Sequence, residues 1–213
     1  MIYPASGGQK HTYDDTINSA KKTYENYIYM LSRIKSKDKL LPVFHMGESF
    51  ECLQKFLQLK DLKYMCISAK KDYTPKQRQN WYDLCFNYIC KNNRQDIKIH
   101  CLGSGTISDV ELFPFCSTDS TTWIQGSAYG ELCTDFGRLY LGSDKYSKNH
   151  VLHDEVKLEY LKSKCLRYSL NFDDLLNNYN YRLYFNICYM LDKSKNTECI
   201  YYERNRYIKN NLF

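Results

Sequence analysis

The sequence predicts an α/β fold with a parallel sheet, followed by a helical C-terminal segment. Short apolar runs alternate with segments of helical periodicity from residue 13 to residue 142. Strands that are separated by helices are joined by right-handed crossovers, which make neighbouring strands parallel. Beyond Asn149 the alternation stops, and residues 154–164 and 172–192 have the apolar spacing of helices.

Four predicted helices precede or separate the strands. Residues 13–34 carry apolar side chains at three- to four-residue spacing, and residues 48–59 form an amphipathic pattern. Thr74-Pro75 combines a good N-cap with a proline suited to the first helical position, so a third helix is predicted from there to about Cys90. The fourth helix, which is short, covers residues 108–113.

Five apolar runs are predicted strands. In the first, residues 40–45, Pro42 occupies an early position where proline is tolerated. No internal repeat or low-complexity linker separates a second domain, so we predict a single domain with its sheet in residues 1–150 and a helical extension in 151–213. The remaining predicted strands are residues 63–68, 97–102, 115–119 and, more weakly, 137–142.

The composition is that of an ordinary globular protein. Apolar residues make up 43 % and charged residues 25 % of the 213 residues, and the mean hydropathy is −0.60. No apolar run approaches the roughly 20 residues that a membrane helix needs. The first residues also lack the apolar segment of a secretion signal. We therefore expect a cytoplasmic protein without a membrane partner.

The ten cysteines are predicted to be buried, reduced thiols. They are spaced singly, without a C-x-x-C pair, and several lie in apolar runs. The same spacing offers no tight half-site for zinc, so we predict neither a metal nor a cofactor.

The net charge of +6 permits a nucleic-acid partner without requiring one. Four arginines that have tyrosines nearby are either phosphate contacts or scattered surface charge. They are Arg167, Arg182, Arg204 and Arg206.

Functional residues of parallel α/β folds collect at the carboxyl ends of the strands. Asp119 ends the run FPFCSTD, where a carboxylate is a nucleophile, a general base or a cap of the next helix. After the first strand, His45 and Glu48 flank Gly47, which allows a ligand to approach the backbone closely. His45 is either a core histidine or a site residue, and Glu48 is either a site residue or a first-turn helix acid.

Two further strand ends carry weaker signals. Ser68 closes the second strand, and Gly103 and Gly105 frame a turn whose backbone N–H groups can hold an anion. Trp123 is either a stacking platform for a flat heterocycle or an ordinary core tryptophan. His100, inside the third strand, is expected to be structural.

Residues 97–123, IKIHCLGSGTISDVELFPFCSTDSTTW, resemble the tRNA-guanine transglycosylase superfamily. They are most similar to its phage and bacterial branch, the queuine tRNA-ribosyltransferase-like proteins. In that pattern a strand with a Gly-x-Gly turn precedes a short helix, and the next strand ends in an aspartate. Residues 41–53 and 64–72 are similar to upstream strands of the family, and the order and spacing agree over roughly residues 13–135.

The resemblance implies a partial TIM (β/α)8-type barrel that exchanges guanine in tRNA or DNA for a 7-deazaguanine base. Asp119 would be the nucleophile that holds a covalent glycosyl intermediate. His45 and Gly47 fall where the family recognises the incoming base, and Gly103 and Gly105 would shape the floor beside it. The predicted base-binding set is His45, Gly47, Glu48, Ser68, Gly103, Gly105 and Trp123.

Three features depart from the family pattern. The general-base aspartate of an early D-S-G motif is missing, because Ser6-Gly7-Gly8 lacks the aspartate. The usually glycine-rich strand end reads Ser68-Ala69-Lys70, and the Cys-rich zinc site is absent. Five predicted strands are also fewer than the eight of a closed barrel.

We therefore expect a truncated barrel that is completed by a homodimer or by a separate N-terminal barrel fragment. One alternative is a nucleic-acid-binding remnant of the fold without catalytic activity. Another is an unrelated parallel α/β protein in which Asp119 is structural.

Overall fold

The computed structural model of the chain describes residues 13–70, 72–103, 106–142 and 150–196. The described residues form two compact units, one made of those up to Asp119 and one of those from Ser120 to Asn196. The change in organisation expected at residue 150 therefore falls inside the second unit.

The first unit is a parallel sheet with helices in the connections, which confirms the α/β class and the first four predicted strands. The strands lie in the order β1-β2-β3-β4, and every neighbouring pair is parallel. The elements are α1 (Tyr13–Arg33), β1 (Val43–His45), α2 (Phe50–Leu57), β2 (Tyr64–Ser68), α3 (Pro75–Lys91), β3 (Lys98–Cys101), α4 (Ile107–Leu112) and β4 (Ser117–Thr118).

Local side-chain contacts fix where these helices begin and end. Thr74 and Gln77 form a reciprocal capping box at the start of α3, which satisfies backbone donors that have no partner within the helix. The carboxyl end of α2 is closed by Arg94, whose guanidinium donates to the carbonyl oxygens of Leu57, Leu59 and Leu62.

The core of the first unit lies between one face of the sheet and the helices. Side chains that alternate along the strands are fully buried there, namely Phe44, Met65, Ile67, Ile99 and Cys101. Helix α3 covers this face, because Trp81 stacks on Phe44 and the hydroxyl of Tyr82 lies 3.3 Å from the Cys101 Sγ.

The second unit holds a hairpin and four helices within the described ranges. A buried asparagine, Asn186, joins the last helix of the unit to its first helix and first strand: its side-chain amide donates to the carbonyl oxygens of Trp123 and Glu131 and accepts from the backbone N–H of Cys133. The elements are α5 (Thr122–Ala128), β5 (Glu131–Thr134), β6 (Gly137–Tyr140), α6 (Glu155–Arg167), α7 (Phe172–Asn177) and α8 (Tyr179–Asn196).

The prediction that residues 137–142 add a fifth parallel strand is wrong. Gly137–Tyr140 is β6, which pairs antiparallel with β5, a strand that the sequence pattern did not reveal. Only Asp135 and Phe136 connect the two strands, and a two-residue connection makes a hairpin, whereas a parallel crossover needs a dozen residues or more.

The predicted helix over residues 172–192 is two helices. Asn178 lies between α7 and α8 in an extended conformation, and its side chain accepts a hydrogen bond from the backbone N–H of Asn180. The asparagine side chain competes in this way with helical hydrogen bonding and ends the helix. The apolar periodicity continues past this interruption, so the sequence pattern did not show it.

No helix among the described residues is both long and apolar enough to cross a membrane.

Candidate active site at the carboxyl edge of the sheet

The second face of the four-stranded sheet is polar, and we call it the polar face. Its side chains alternate with the buried apolar ones, as the period of two along a strand requires. The register places Cys66, His100 and Ser117 side by side on neighbouring strands, and His45 beside Ser68. The residues of interest on the polar face are His45, Tyr64, Cys66, Ser68, His100, Ser117 and Asp119, and the register places Val43 and Lys98 on the same face.

Asp119 directly follows β4, at the carboxyl edge of the polar face. Its Oδ1 accepts a hydrogen bond from the backbone N–H of Gly103 at 2.7 Å and lies 3.0 Å from the His100 Nε2. Its Oδ2 has no hydrogen-bond partner within the described ranges, and the side chain is 53 % exposed. The carboxylate is thus held at one oxygen and open at the other.

His100 links Asp119 to the interior of the polar face. Its Nδ1 lies 2.7 Å from the Ser117 Oγ, which in turn lies 2.5 Å from the Tyr64 hydroxyl. Its side chain is only 17 % exposed. The expectation of a purely structural His100 overlooked this contact, although the strand pattern held a signal. Ile97, Ile99 and Cys101 occupy one face, so His100 must point to the other.

His45 and Glu48 form a second carboxylate–histidine pair at the same edge. Glu48 Oε1 lies 2.9 Å from the His45 Nδ1, and Oε2 accepts from the backbone N–H of His45 at 3.1 Å. The Glu48 side chain is 7 % exposed, whereas that of His45 is 47 % exposed. The carboxylate therefore orients the imidazole, whose Nε2 makes no hydrogen bond among the described residues.

Gly47 allows this pair to form. The backbone N–H of Glu48 donates to the His45 carbonyl oxygen, and Gly47, with a φ of +101°, occupies the turn position that favours glycine. A Cβ at this position would lie 3.2 Å from the Lys70 Nζ. The ammonium group of Lys70 thus lies against bare backbone at the carboxyl edge.

The remaining predicted site residues divide between the two units. Ser68 ends β2 and donates to the Leu102 carbonyl oxygen, and Gly103 supplies the N–H that binds Asp119. Gly105 lies outside the described residues. Trp123 belongs to the second unit, where its half-buried side chain stands in the first turn of α5.

The thiol next to this site has a high pKa. Burial raises the pKa of Cys66 to about 11, and the negative charge of Asp119 adds to the effect. None of the nine cysteines of the described ranges forms a disulfide; Cys66, Cys85, Cys90, Cys101 and Cys165 are buried as predicted, whereas Cys116 is exposed. Cys199 lies outside those ranges. No cluster of three or more potential metal ligands occurs among the described side chains.

A cleft of about 600 Å³ lies in the second unit. Its wall includes Arg138, which pairs with Glu131 at 2.9 Å, and Lys157, which pairs with Asp154 at 2.7 Å. These charges compensate one another, and none of the predicted site residues lines the cleft. The polar face, with an open carboxylate oxygen, is therefore the better candidate for chemistry.

No protein-family model matches the chain, and no curated protein is significantly similar to it.

Proposed function

We propose that the chain is a transglycosylase of the queuine tRNA-ribosyltransferase type, which exchanges guanine in tRNA or DNA for a 7-deazaguanine base. One observation carries the proposal: Asp119 stands at the carboxyl end of a parallel strand with Oδ1 held by two donors and Oδ2 open. A half-exposed carboxylate with one free oxygen suits a nucleophile that forms an ester with a sugar.

The reaction proceeds in two displacements at the anomeric carbon. Asp119 Oδ2 forms a bond to this carbon while the bond to N9 of guanine breaks. Guanine leaves with the electron pair and takes a proton from water. The incoming base then loses its N–H proton to water and attacks the same carbon, and the ester bond breaks to regenerate the carboxylate. His45, Gly47, Glu48, Ser68 and Gly103 line the edge at which the bases would be bound.

The same proposal includes the finer fold, a partial TIM-type barrel in the cytoplasm. Sequential strand order with helical crossovers is the order of a (β/α)8 barrel. Strands β1 and β4 each pair on one side only within the described part of the chain. A second copy of the chain or a separate N-terminal barrel fragment would pair with such edges.

A second candidate is supported by the same contacts. Asp119 Oδ1 accepts the Gly103 N–H, so the carboxylate also fastens the segment after β3 to the end of β4. This contact alone suits a structural aspartate, either in a non-catalytic nucleic-acid-binding remnant or in an unrelated α/β protein.

Covalent trapping separates these candidates. Wild-type protein is incubated with end-labelled tRNA or guanine-containing DNA and analysed on a denaturing gel, and incorporation of labelled guanine is measured in parallel. We expect a protein–nucleic acid adduct and guanine incorporation from the wild type, and neither from Asp119→Asn. The asparagine carbonyl oxygen still accepts both hydrogen bonds, so the fold is preserved while the nucleophile is lost.

Asp61→Asn is the matched control, because Asp61 is an exposed aspartate in the loop before β2. It should retain the adduct. The transglycosylase proposal fails if the wild type forms no adduct and incorporates no guanine with either nucleic acid, or if Asp119→Asn retains both. Binding that weakens steeply with salt, without exchange, would support the non-catalytic candidate.

A further inference from the structure

We propose that His100 is a positioning residue for Asp119, and that the Asp119 carboxylate and the hydroxyls of Ser117 and Tyr64 together fix its tautomer so that Oδ2 of the carboxylate faces the substrate. The catalytic consequence rests on the proposed function, whereas the tautomer does not. The basis is a hydrogen-bonded chain of four side chains from three neighbouring strands.

The series of hydrogen bonds is continuous, and Tyr64, His100 and Ser117 stand on strands while Asp119 directly follows one. Its successive contacts measure 2.5 Å from Tyr64 Oη to Ser117 Oγ, 2.7 Å from Ser117 Oγ to His100 Nδ1, and 3.0 Å from His100 Nε2 to Asp119 Oδ1. His100 and Ser117 are register partners on β3 and β4. Strand positions hold side chains more accurately than loops, so the imidazole has one orientation.

The direction of the protons follows from what each group can do. An ionised carboxylate only accepts, so His100 must carry its proton on Nε2. In the neutral imidazole Nδ1 is then an acceptor, and the Ser117 hydroxyl donates to it. The Tyr64 hydroxyl in turn donates to the Ser117 Oγ. Every donor in the chain therefore points toward Asp119.

Tyr64 is suited to remain the donor at the start of the chain. Burial raises the pKa of its hydroxyl, and the neighbouring Cys116 thiol raises it further, against a lowering by Ser117. The phenol keeps its proton at neutral pH, and Ser117 therefore stays oriented toward His100.

The two donors to Oδ1 leave the carboxylate little freedom to rotate. The Gly103 N–H and the His100 Nε2–H occupy the two lone pairs of Oδ1, so Oδ2 is the oxygen presented to an anomeric carbon. Loss of the histidine would free the carboxylate to turn. Misplacement of a reacting group by about 1 Å can cost on the order of 100-fold in rate.

Two substitutions of His100 test the catalytic consequence. His100→Leu removes the donor, and we expect adduct formation in a single turnover to slow by about 100-fold, with nucleic-acid affinity changed less than about twofold. His100→Gln keeps an N–H donor near the position of Nε2 and should recover most of that rate. Equal losses in both variants, or a loss that lies only in nucleic-acid affinity, would overturn the positioning role.

The tautomer is measured without any activity, by long-range ¹H–¹⁵N NMR correlation of the imidazole rings, with the His100 signals assigned from the His100→Gln spectrum. We expect the Nε2–H form in the wild type and a measurable share of the Nδ1–H form in Ser117→Ala, where only the Asp119 carboxylate still selects the tautomer. Ser68→Ala changes a serine of the polar face that takes no part in the hydrogen bonds from Tyr64 to Asp119. It should leave the His100 tautomer unchanged. A predominant Nδ1–H form in the wild type would overturn the proposal.

The two readouts separate the failure of this inference from that of the proposed function. If the wild type forms no adduct, the transglycosylase proposal fails and the tautomer alone decides whether the chain of hydrogen bonds exists. If the wild type forms an adduct but His100→Leu forms it equally fast, the function stands and the role of His100 is refuted.

Discussion

The role of a single residue at this site depends on which side chains the neighbouring strand places beside it. The position of Asp119 at a strand end was predictable, because an apolar run followed by a lone carboxylate is visible in one segment of sequence. His100 was expected to be structural because it lies inside a strand. Its partner Ser117 stands on another strand, and neither segment of sequence shows the register between the two strands. Local sequence thus identifies candidate groups, and only pairing shows which of them meet.

Gly47 gives a prediction at the residue scale. Gly47→Ala should lower the free energy of unfolding of the first unit by about 1–3 kcal/mol, because its φ of +101° lies outside the left-handed region that other residues tolerate. The measurement is urea unfolding followed by Trp81 fluorescence in a Trp123→Phe background.

Gly103→Ala is the matched control at the same edge. The φ of Gly103 is +71°, close to the left-handed helical region, and a Cβ there meets no described atom within 4 Å. It should cost only about 1 kcal/mol. Equal losses in the two variants would show that the turn at Gly47 is not strained.

At the scale of elements, periodicity predicted which helices and strands exist better than it predicted which strands pair with one another. The apolar runs of β1 to β4 and the capping signals of α3 were sufficient to place those elements. The run at residues 137–142 was correctly a strand, but its partner was missed because Glu131–Thr134 is only four residues long and holds two apolar residues between Glu131 and Thr134. The length of the connection decides whether two strands form a hairpin or a crossover. That length is known only when both strands have been identified.

The hairpin turn leads to a prediction about acid stability. Burial alone would raise the pKa of Asp135, but hydrogen bonds from Lys193 and Tyr160, together with the charge of Lys164, lower it to about 2. Since this folded-state pKa lies below the ordinary value of 3.8, the stabilisation is present above that value and is lost as the pH falls toward 2.

Asp135→Asn should therefore flatten the acid dependence of unfolding of the second unit between pH 3.8 and about 2. The midpoint of urea unfolding, followed by Trp123 fluorescence in a Trp81→Phe background, is the measurement. The control is Glu159→Gln, which removes an exposed carboxylate that has no ion pair in the described structure. An unchanged acid dependence in Asp135→Asn would show that these contacts do not stabilise the folded state.

For the whole molecule, the alternation of apolar runs with helical segments predicted the α/β class, and the spacing of the cysteines predicted burial, which holds for five of the nine thiols described. Neither pattern predicted the boundary between the two units. Contact between distant segments defines a unit, and no linker marks residue 120 in the sequence. Within the described residues β1 and β4 each pair on one side only, and the finer architecture depends on what lies on their other side. Periodicity within one chain carries no information about such a partner.

Thiol reactivity tests the burial pattern across the molecule. In a Cys199→Ser background, a thiol reagent at neutral to mildly alkaline pH should modify Cys116 rapidly, because its side chain is exposed. Burial raises the pKa of Cys66, Cys90 and Cys165 to about 11, so these thiols should react only after denaturation.

Adding Cys116→Ser should abolish the fast reaction. Fast labelling of several further cysteines in the native protein would contradict the packing described for both units.

The claim that Asp119 carries the chemistry is tested most directly by locating the trapped sugar. Trypsin should release residues 99–138 as one peptide, which contains Asp109, Asp119 and Asp135. Tandem mass spectrometry of the nuclease-trimmed adduct should find the added pentose mass on Asp119. An adduct on Asp109, on Asp135 or on any other peptide would contradict the account.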